Sequence, residues 1–194
     1  MTDQVRATEY EPRPTFEITE MSADAIDGAT AMRLESWVAT YVNEDLGVTE
    51  EWIRDRFASR LSPETHDTRV SRFETAKQAG KLNAWVARDA GGEIVGSTTP
   101  FITEDGKQRV GSIYVDKKAH GTGLGSQLMQ KVVDWFDPEK PIYLEVVTYN
   151  ERAKTFYRKW GFEEIPGTED IYADLLPEVT MIRQPENSQN KGEA

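Results

Sequence analysis

The chain contains no cysteine and only two histidines among its 194 residues. The lack of cysteine excludes disulfides, thiolate metal sites and a thiol nucleophile. His66 and His120 lie far apart in the sequence, and neither has the spacing of a metal-ligand pair, so no metal site is expected. Any covalent transfer through a cysteine sulfur is therefore excluded.

Long hydrophobic runs and an excess of basic residues are also absent. No apolar run approaches the roughly 18 to 20 residues that a membrane span needs, and the first residues lack the basic and apolar regions of a signal peptide. We therefore predict a cytoplasmic protein with no membrane partner. With 34 acidic and 23 basic residues the formal net charge is -11, which argues against a nucleic-acid partner because phosphate binding needs a basic face. The acidic excess favours solubility and would also attract a cationic substrate such as an amine.

Polar segments at both ends flank one region with regular patterns. Residues 1–14 and 184–194 lack apolar periodicity and are predicted to be flexible tails, which leaves 15–183 as a single domain. Helical spacing predicts a helix over 22–42 behind Ser22 and a second one opened by Thr49. A third helix is expected to start near 62–65, with Pro63 in its first turn, and to end at Gly80.

The hydrophobic period then changes from three or four to two. This alternation predicts antiparallel strands at 83–89, 93–102 and 108–115. A glycine-rich turn, a helix over 124–136 and an apolar strand at 141–147 follow, and such a right-handed crossover places the strands 109–115 and 142–147 side by side in parallel. Further strands at 16–19, 162–165 and 178–183, and a helix at 150–160, complete a prediction of the α/β class, with a mixed sheet of about seven strands flanked by helices.

The glycine-rich turn lies in the stretch 119-AHGTGLGSQLMQKVVDWF-136. A strand that ends at such a turn and continues into a helix leaves several backbone N–H groups at the positive end of the helix dipole. Gly121, Gly123 and Gly125 remove the Cβ atoms that would hold an anion away, and they allow positive φ values. The stretch therefore predicts a phosphate-binding site.

Three known kinds of phosphate-binding loop contain a glycine-rich turn before a helix. A P-loop would need a lysine after the last glycine, where Ser126 and Gln127 stand. A dinucleotide loop would need glycine in place of Ser126, although Glu145 lies at the right distance for a ribose contact. Because antiparallel strands precede the turn, a dinucleotide-binding oxidoreductase is the weaker alternative.

The third kind is the acyl-coenzyme A loop of the GNAT family of N-acetyltransferases, which the segment His120–Gly125 resembles. The segment 150-NERAKTFYRKWGF-162 resembles that family's second signature, and the order of elements extends the resemblance over 16–183. The helical N-terminal half loosely resembles the branch containing polyamine N-acetyltransferases. The resemblance implies the GNAT fold, acetyl-CoA as acyl donor, and a splayed parallel pair between which the pantetheine arm lies like a missing strand.

The resemblance also implies which residues contact acetyl-CoA. His120 stands where the family usually has glutamine or arginine, and Lys117 and Lys118 are close enough in sequence to supply the missing positive charge. Asn150 resembles the family's asparagine that contacts the cofactor arm, with a simple helix N-cap as the alternative. The implied cofactor contacts are the main chain of Ile113, Tyr114 and Val115, the loop residues His120, Gly121, Thr122, Gly123, Leu124, Gly125 and Ser126, and Asn150 and Tyr157.

For catalysis, the resemblance implies direct transfer of the acetyl group to a primary amine in a ternary complex. The backbone N–H of Val115 is expected to stabilise the oxyanion, and Tyr157 occupies the position of the family's usual general acid. Many relatives carry a glutamate before the loop, but here that region offers no carboxylate. Glu145 on the neighbouring strand can relay a proton through water, or solvent can deprotonate the amine. A non-catalytic acyl-CoA-binding regulatory module is the remaining alternative.

The acceptor, a small-molecule or peptide amine, would be chosen by the helical region 22–80 and by loops near 100–108 and 166–178. No motif in these segments identifies it. Trp37, Tyr41 and Trp52 either line an acceptor pocket or belong to the core. The last strands are candidates for pairing across a homodimer.

Overall fold

A computed structural model describes residues 14–185, so nearly all of both predicted tails lies outside the described residues. The domain contains five α-helices and eight strands within that range. The strands are β1 (Glu17–Glu20), β2 (Trp85–Arg88), β3 (Ile94–Ile102), β4 (Gln108–Val115), β5 (Ile142–Val147), β6 (Phe162–Glu164), β7 (Asp170–Tyr172) and β8 (Leu176–Arg183). The helices are α1 (Ile26–Tyr41), α2 (Glu50–Leu61), α3 (His66–Gln78), α4 (Leu124–Trp135) and α5 (Glu151–Lys159).

Helix boundaries follow the local signals except at the starts of α1 and α3. Pro63 begins a separate 3-10 turn, Pro63–Thr65, and α3 itself begins at His66. The Thr49 hydroxyl accepts the Trp52 N–H at 3.1 Å and caps α2. Gly80 follows α3 with a φ of +63°. Ser22 precedes a short 3-10 turn instead of α1 itself and makes no side-chain capping bond, so α1 begins later than predicted, at Ile26.

The eight strands form one mixed sheet in the order β1-β2-β3-β4-β5-β8-β6, with β7 paired to β8. The prediction of about seven strands omitted β7. This strand is three residues long and exposed, so its sequence has no buried face to reveal it. It exists because its backbone pairs with the start of β8, which begins at Leu176, two residues before the predicted start.

The parallel pair β4–β5 is the break in the sheet. Its ladder contains only Gln108 opposite Ile142 and Arg109 opposite Tyr143, after which the strands separate, as predicted. A bulge in β4 accompanies the separation, because Gly111 is skipped between the two register positions opposite Thr99 and Pro100. A Cβ on Gly111 would lie 2.8 Å from the Thr99 carbonyl oxygen, so this close approach requires glycine.

Helices cover both faces of the sheet. Helices α4 and α5 pack on one face, where Met129, Val132 and Tyr157 join buried residues of β4, β5 and β8. Helices α1 and α2 cover the other face at the same strands, through a second cluster that includes Trp37 and Phe57. The separated ends of β4 and β5 are therefore enclosed from both sides. Among the described residues, no helix is long and apolar enough to cross a membrane.

Candidate active site

A cavity of about 810 Å³ lies where β4 and β5 separate. It extends from the glycine-rich turn to α1, α2 and the β7–β8 hairpin. The predicted site residues that line it are Ile113, Tyr114, Val115, His120, Gly125, Glu145, Asn150 and Tyr157. The other predicted loop residues, Gly121, Thr122, Gly123, Leu124 and Ser126, lie in or behind the loop and do not line this cavity.

The backbone of β4 faces the cavity at alternate residues. The Asp116 N–H donates to the Val95 carbonyl of β3 at 2.8 Å, and successive residues of a strand direct their N–H groups to opposite sides. Val115 and Ile113 therefore direct their backbone groups toward the gap beside β5, where the ladder has ended. The Tyr114 backbone faces β3, so the predicted main-chain contact of Tyr114 is wrong and only its side chain lines the cavity.

The glycine-rich turn presents unused N–H groups. Gly121 and Gly123 have φ values of 78° and 91°, as predicted, and the space beside both Cα atoms is open. Among residues 14–185, the amide N–H groups of Gly121, Gly123 and Gly125 have no acceptor. Gly125 does not use the positive φ that glycine allows, because it already belongs to α4. The loop is an open cradle of donors at a helix N-terminus, which suits a phosphate.

The remaining loop residues hold the turn in place. The Thr122 hydroxyl donates to the Ala119 carbonyl at 2.7 Å. Leu124 is fully buried in the core, so its side chain anchors the loop and cannot contact a ligand in the cavity. Ser126 donates its amide N–H to the Gly123 carbonyl at 3.1 Å and starts the α4 hydrogen-bond pattern.

His120 links the loop to β4 and α5. Its Nε2 lies 2.9 Å from the Val115 carbonyl oxygen, and its Nδ1 lies 2.5 Å from Nη1 of Arg152. Because the guanidinium can only donate, Nδ1 must accept and Nε2 must carry the proton, which defines a neutral imidazole. Burial lowers the pKa of His120, and the nearby positive charge of Arg152 lowers it further.

The positive charge beside the loop comes from Arg152, which the sequence analysis missed. Lys118, one of the two residues considered for this role, pairs instead with Glu93 at 2.6 Å and with Asp89 at 3.3 Å. Arg152 lines the cavity from the first turn of α5. Its position two residues after Asn150 was the only available signal, and the contact with His120 depends on how α5 packs beside the loop.

Asn150 caps α5 and also lines the cavity. Its Oδ1 accepts the Ala153 N–H at 3.1 Å, so the N-cap interpretation is confirmed. Its side-chain N–H₂ group interacts with the Tyr41 hydroxyl, which leaves one of the two N–H bonds without an acceptor among the described residues. This donor is available to a ligand in the gap between β4 and β5.

Tyr157 lies deep in the cavity wall and is 9% exposed. Burial raises the pKa of its phenol, and the negative charge that Tyr114 would carry when ionised adds to this. The phenol is therefore protonated at neutral pH. Its hydroxyl has no hydrogen-bond partner within residues 14–185, so the proton can be donated to a ligand. The raised pKa lies farther from the roughly 8.5 of a thiol than the ordinary phenol value.

Two of the carboxylates that line the cavity are Glu145 on β5 and Glu178 on β8. Glu145 forms an ion pair with Arg109 of the adjacent parallel strand. Glu178 of β8, which the sequence analysis missed, has no ion pair or hydrogen bond among the described residues. Burial raises the pKa of Glu178 to about 7, and the negative charge of Asp170 contributes. Only the β7–β8 hairpin brings Asp170 and Glu178 together, so no local pattern in the sequence indicated either residue.

The aromatic residues considered for an acceptor pocket divide into two groups. Trp37 and Tyr41 line the cavity, whereas Trp52 does not. Trp37 is also part of the buried cluster, and its Nε1 donates to the Tyr114 hydroxyl at 2.7 Å. The core and pocket interpretations therefore both hold for Trp37.

Comparison with known proteins shows which sequences this chain resembles. Residues 80–164 match the family model of the acetyltransferase (GNAT) domain. The chain is 34% identical over 95 residues to the N-alpha-acetyltransferase RimI of Mycobacterium tuberculosis, a match that covers 45% of this chain and 56% of RimI. It is 42% identical over 76 residues to an uncharacterised protein of Mycobacterium leprae, covering 39% of this chain and 20% of that protein. The chain thus matches about half of one curated relative and a fifth of the other.

Solved structures share the fold over most of the chain. The PaiA N-acetyltransferase of Thermoplasma acidophilum, crystallised in complex with coenzyme A, superimposes with a TM-score of 0.68. The superposition covers 88% of this chain and 99% of PaiA, at 19% sequence identity. Residues 80–164 therefore match the GNAT domain in sequence, and the solved structures show that the chain shares its fold beyond this match.

Proposed function

We propose that this chain is an acetyl-CoA-dependent N-acetyltransferase that transfers the acetyl group directly to a primary amine of a small molecule or peptide within a ternary complex. One observation carries the proposal. The backbone groups of Ile113 and Val115 face a gap in the sheet that leads to the unused N–H groups of the glycine-rich turn. A ligand with amides of its own and a pyrophosphate at one end satisfies both sets of groups.

Each part of the cavity has a defined task in binding the acyl donor. The N–H groups of Gly121, Gly123 and Gly125 hold the pyrophosphate, and Arg152 adds a positive charge beside it. The gap beside Val115 and the remaining amide N–H of Asn150 hold the pantetheine arm. When bound, acetyl-CoA supplies the activated acyl group, and coenzyme A leaves as the thiol.

Three groups serve the transfer itself. The Val115 N–H stabilises negative charge that develops on the acyl oxygen. The protonated Tyr157 hydroxyl donates a hydrogen bond or a proton to the departing sulfur. The departing sulfur would share the buried environment of Tyr157, and burial would raise the proton affinity of the sulfur as well. Proton transfer from the phenol to the sulfur therefore stays feasible despite the raised pKa of the phenol. Glu145 is engaged with Arg109, so a proton relay through it requires that ion pair to open.

Calorimetry with the full chain tests the donor. We expect binding of acetyl-CoA and none of a nicotinamide dinucleotide. Failure to bind any acyl-CoA would falsify the proposal, and binding of the dinucleotide alone would favour the oxidoreductase alternative.

Thiol release with a panel of amines tests the transfer. Polyamines, amino acids, aminoglycosides and peptide N-termini are offered with acetyl-CoA, and at least one is expected to release coenzyme A. A chain that binds acetyl-CoA tightly but leaves every amine unchanged is a binding module and not an enzyme. The cytoplasmic location and the homodimer are also proposals, which cell fractionation and light scattering test.

A further inference from the structure

The end of the cavity bounded by α1, α2 and the β7–β8 hairpin contains charges that have no oppositely charged partner. Arg33 and Arg60 line it from the helices, and Asp170 and Glu178 line it from the hairpin. None of the four takes part in an ion pair within the described part of the chain. By contrast, the charged residues near the separated strands, Glu145 and Arg152, are both engaged by other side chains.

The two arginines form a positive pair. Both guanidinium groups lie over the ring of Phe57, at 5.4 Å for Arg33 and 5.5 Å for Arg60. The Nε of Arg33 is buried and has no acceptor. Burial lowers the pKa of Arg33, and the positive charge of Arg60 lowers it as well. An uncompensated guanidinium in this position is costly, and an anionic ligand group would offset that cost.

The two carboxylates form a negative pair on the hairpin. Asp170 accepts only the N–H of Ile171, at 2.8 Å. Glu178 makes no hydrogen bond within residues 14–185, and burial beside Asp170 holds its pKa near 7. A cationic ligand group would favour the charged form of Glu178.

The phenol of Tyr114 lies within electrostatic reach of both pairs. Burial raises the pKa of Tyr114, while the charge of Arg33 lowers it and the charge of Glu178 raises it. The hydrogen bond from Trp37 holds the phenol in place. Opposite charges thus line one cavity without contacting each other, which leaves room for a ligand that carries both complementary charges.

We infer that this end of the cavity binds a zwitterionic acceptor, a small molecule that carries a carboxylate as well as the primary amine that is acetylated. The carboxylate lies at Arg33 and Arg60, and the amine lies at Glu178 and Asp170. The inference rests on the proposed acetyltransferase function and specifies its substrate class. A simple polyamine fits less well, because it has no anionic group to place beside the two arginines.

Matched acceptors that differ by one carboxylate test this inference. Ornithine is compared with putrescine, and lysine with cadaverine, in thiol-release assays with acetyl-CoA. The KM of the amino acid is expected to be at least about tenfold lower than that of the diamine, as for a charge-assisted hydrogen bond to arginine. Calorimetric titration of ornithine into the protein saturated with coenzyme A provides a second measure that needs no turnover.

Charge-removing variants then locate the carboxylate. Arg33→Gln is expected to raise the KM of ornithine about tenfold and to leave that of putrescine unchanged or lower. Arg60→Gln tests the same site if the Arg33 variant fails to fold. Arg54→Gln is the matched control, since Arg54 lies on α2 but pairs with Glu35 at 2.9 Å outside the cavity.

The outcomes separate this inference from the proposed function. Turnover of diamines with an equal or lower KM than the amino acids overturns the zwitterion and leaves the acetyltransferase intact. Equal effects of Arg33→Gln on both acceptors assign Arg33 a merely structural role and also overturn it. If acetyl-CoA binds but ornithine and lysine neither bind nor react, the inference is wrong. If acetyl-CoA itself does not bind, the proposed function fails first.

Discussion

The two ends of the cavity are built from different kinds of groups. At the end proposed to bind the cofactor, the available groups are backbone N–H groups of β4 and of the glycine-rich turn, with Arg152 as the added charge. At the end proposed to bind the acceptor, they are charged side chains from α1, α2, β7 and β8. The first end comes from neighbouring stretches of sequence, and the second comes from segments more than a hundred residues apart.

This difference explains why one end is specified by its backbone and the other by its side chains. Backbone donors depend on chain conformation, so substitutions that preserve the turn leave the cofactor end intact. Side-chain charges can be exchanged one at a time without changing the fold. We therefore expect changes at the cofactor end to affect every acceptor equally, and changes at the acceptor end to discriminate among acceptors.

The largest expected effect is at the junction of the two ends. Tyr157→Phe removes the only side-chain proton donor proposed for the leaving sulfur, so kcat should fall about 100-fold. Acetyl-CoA affinity, measured by calorimetry, should be unchanged. Tyr143→Phe is the control, because this phenol lies on β5 outside the cavity lining. Full activity of Tyr157→Phe would rule out the proposed role of the phenol.

The next effect is at the backbone of the cofactor end. Gly123→Ala forces a side chain into a φ of 91° and turns the loop N–H groups away, so acetyl-CoA should bind about tenfold more weakly. Gly106→Ala imposes similar strain at a φ of 83° in the β3–β4 turn, and should cost stability without changing affinity. Calorimetry and urea unfolding of both variants separate strain from binding. Equal affinities of the two variants would mean that the turn does not hold the ligand.

A smaller effect is expected from the charge beside the loop. Arg152→Gln should weaken acetyl-CoA binding about fivefold, and salt should reduce the difference because the site is partly exposed. Arg158→Gln, on the same helix but paired with Glu164 outside the cavity, should bind like the wild type. Titrations at low and high salt measure both. A difference that is independent of salt would point to packing and not to charge.

The smallest effect is on stability at the acceptor end. The pKa of Glu178 is about 7 in the folded chain and is ordinarily near 4.5, so the folded state holds this proton more tightly than the unfolded state. Glu178 therefore does not change the free energy of unfolding below about pH 4.5, and it lowers that free energy by its full amount above about pH 7. Glu178→Gln should raise the free energy of unfolding at pH 8 by an amount of order 1 kcal/mol after solvent screening, and by less at pH 5.

Urea unfolding at the two pH values measures this difference. Glu163→Gln provides the control, because Glu163 of β6 is exposed and lies outside the cavity. A Glu178 variant whose stability gain is the same at pH 5 and pH 8 would show that Glu178 is not desolvated.

The cofactor end was largely predictable because its signals are local. A strand, a glycine-rich turn and an amphipathic helix follow one another in the sequence, and Asn150 and Tyr157 lie on the next helix. The exception was Tyr114, whose backbone orientation depends on the bulge at Gly111. Arg152 was missed because its contact with His120 joins two elements that are separate in the sequence.

The acceptor end was not predictable for the corresponding reason. Arg33 on a helix and Glu178 on a strand look like ordinary surface charges, and β7 has no hydrophobic pattern at all. Arg33 and Glu178 become candidates for ligand contacts only when the helices and the hairpin enclose the same cavity. Burial without a partner distinguishes them, and burial is a property of the packed chain.

The sequence alone indicated the helices, seven of the eight strands and the glycine-rich turn, because backbone conformation follows from local glycines and hydrophobic period. The separation of the parallel pair was expected only from the family resemblance. Tertiary structure decided which side chains share the cavity, which charges are neutralised by neighbours and which are left for a ligand. Electrostatic partners are chosen by distance in space, and the spacing of residues along the chain does not fix that distance.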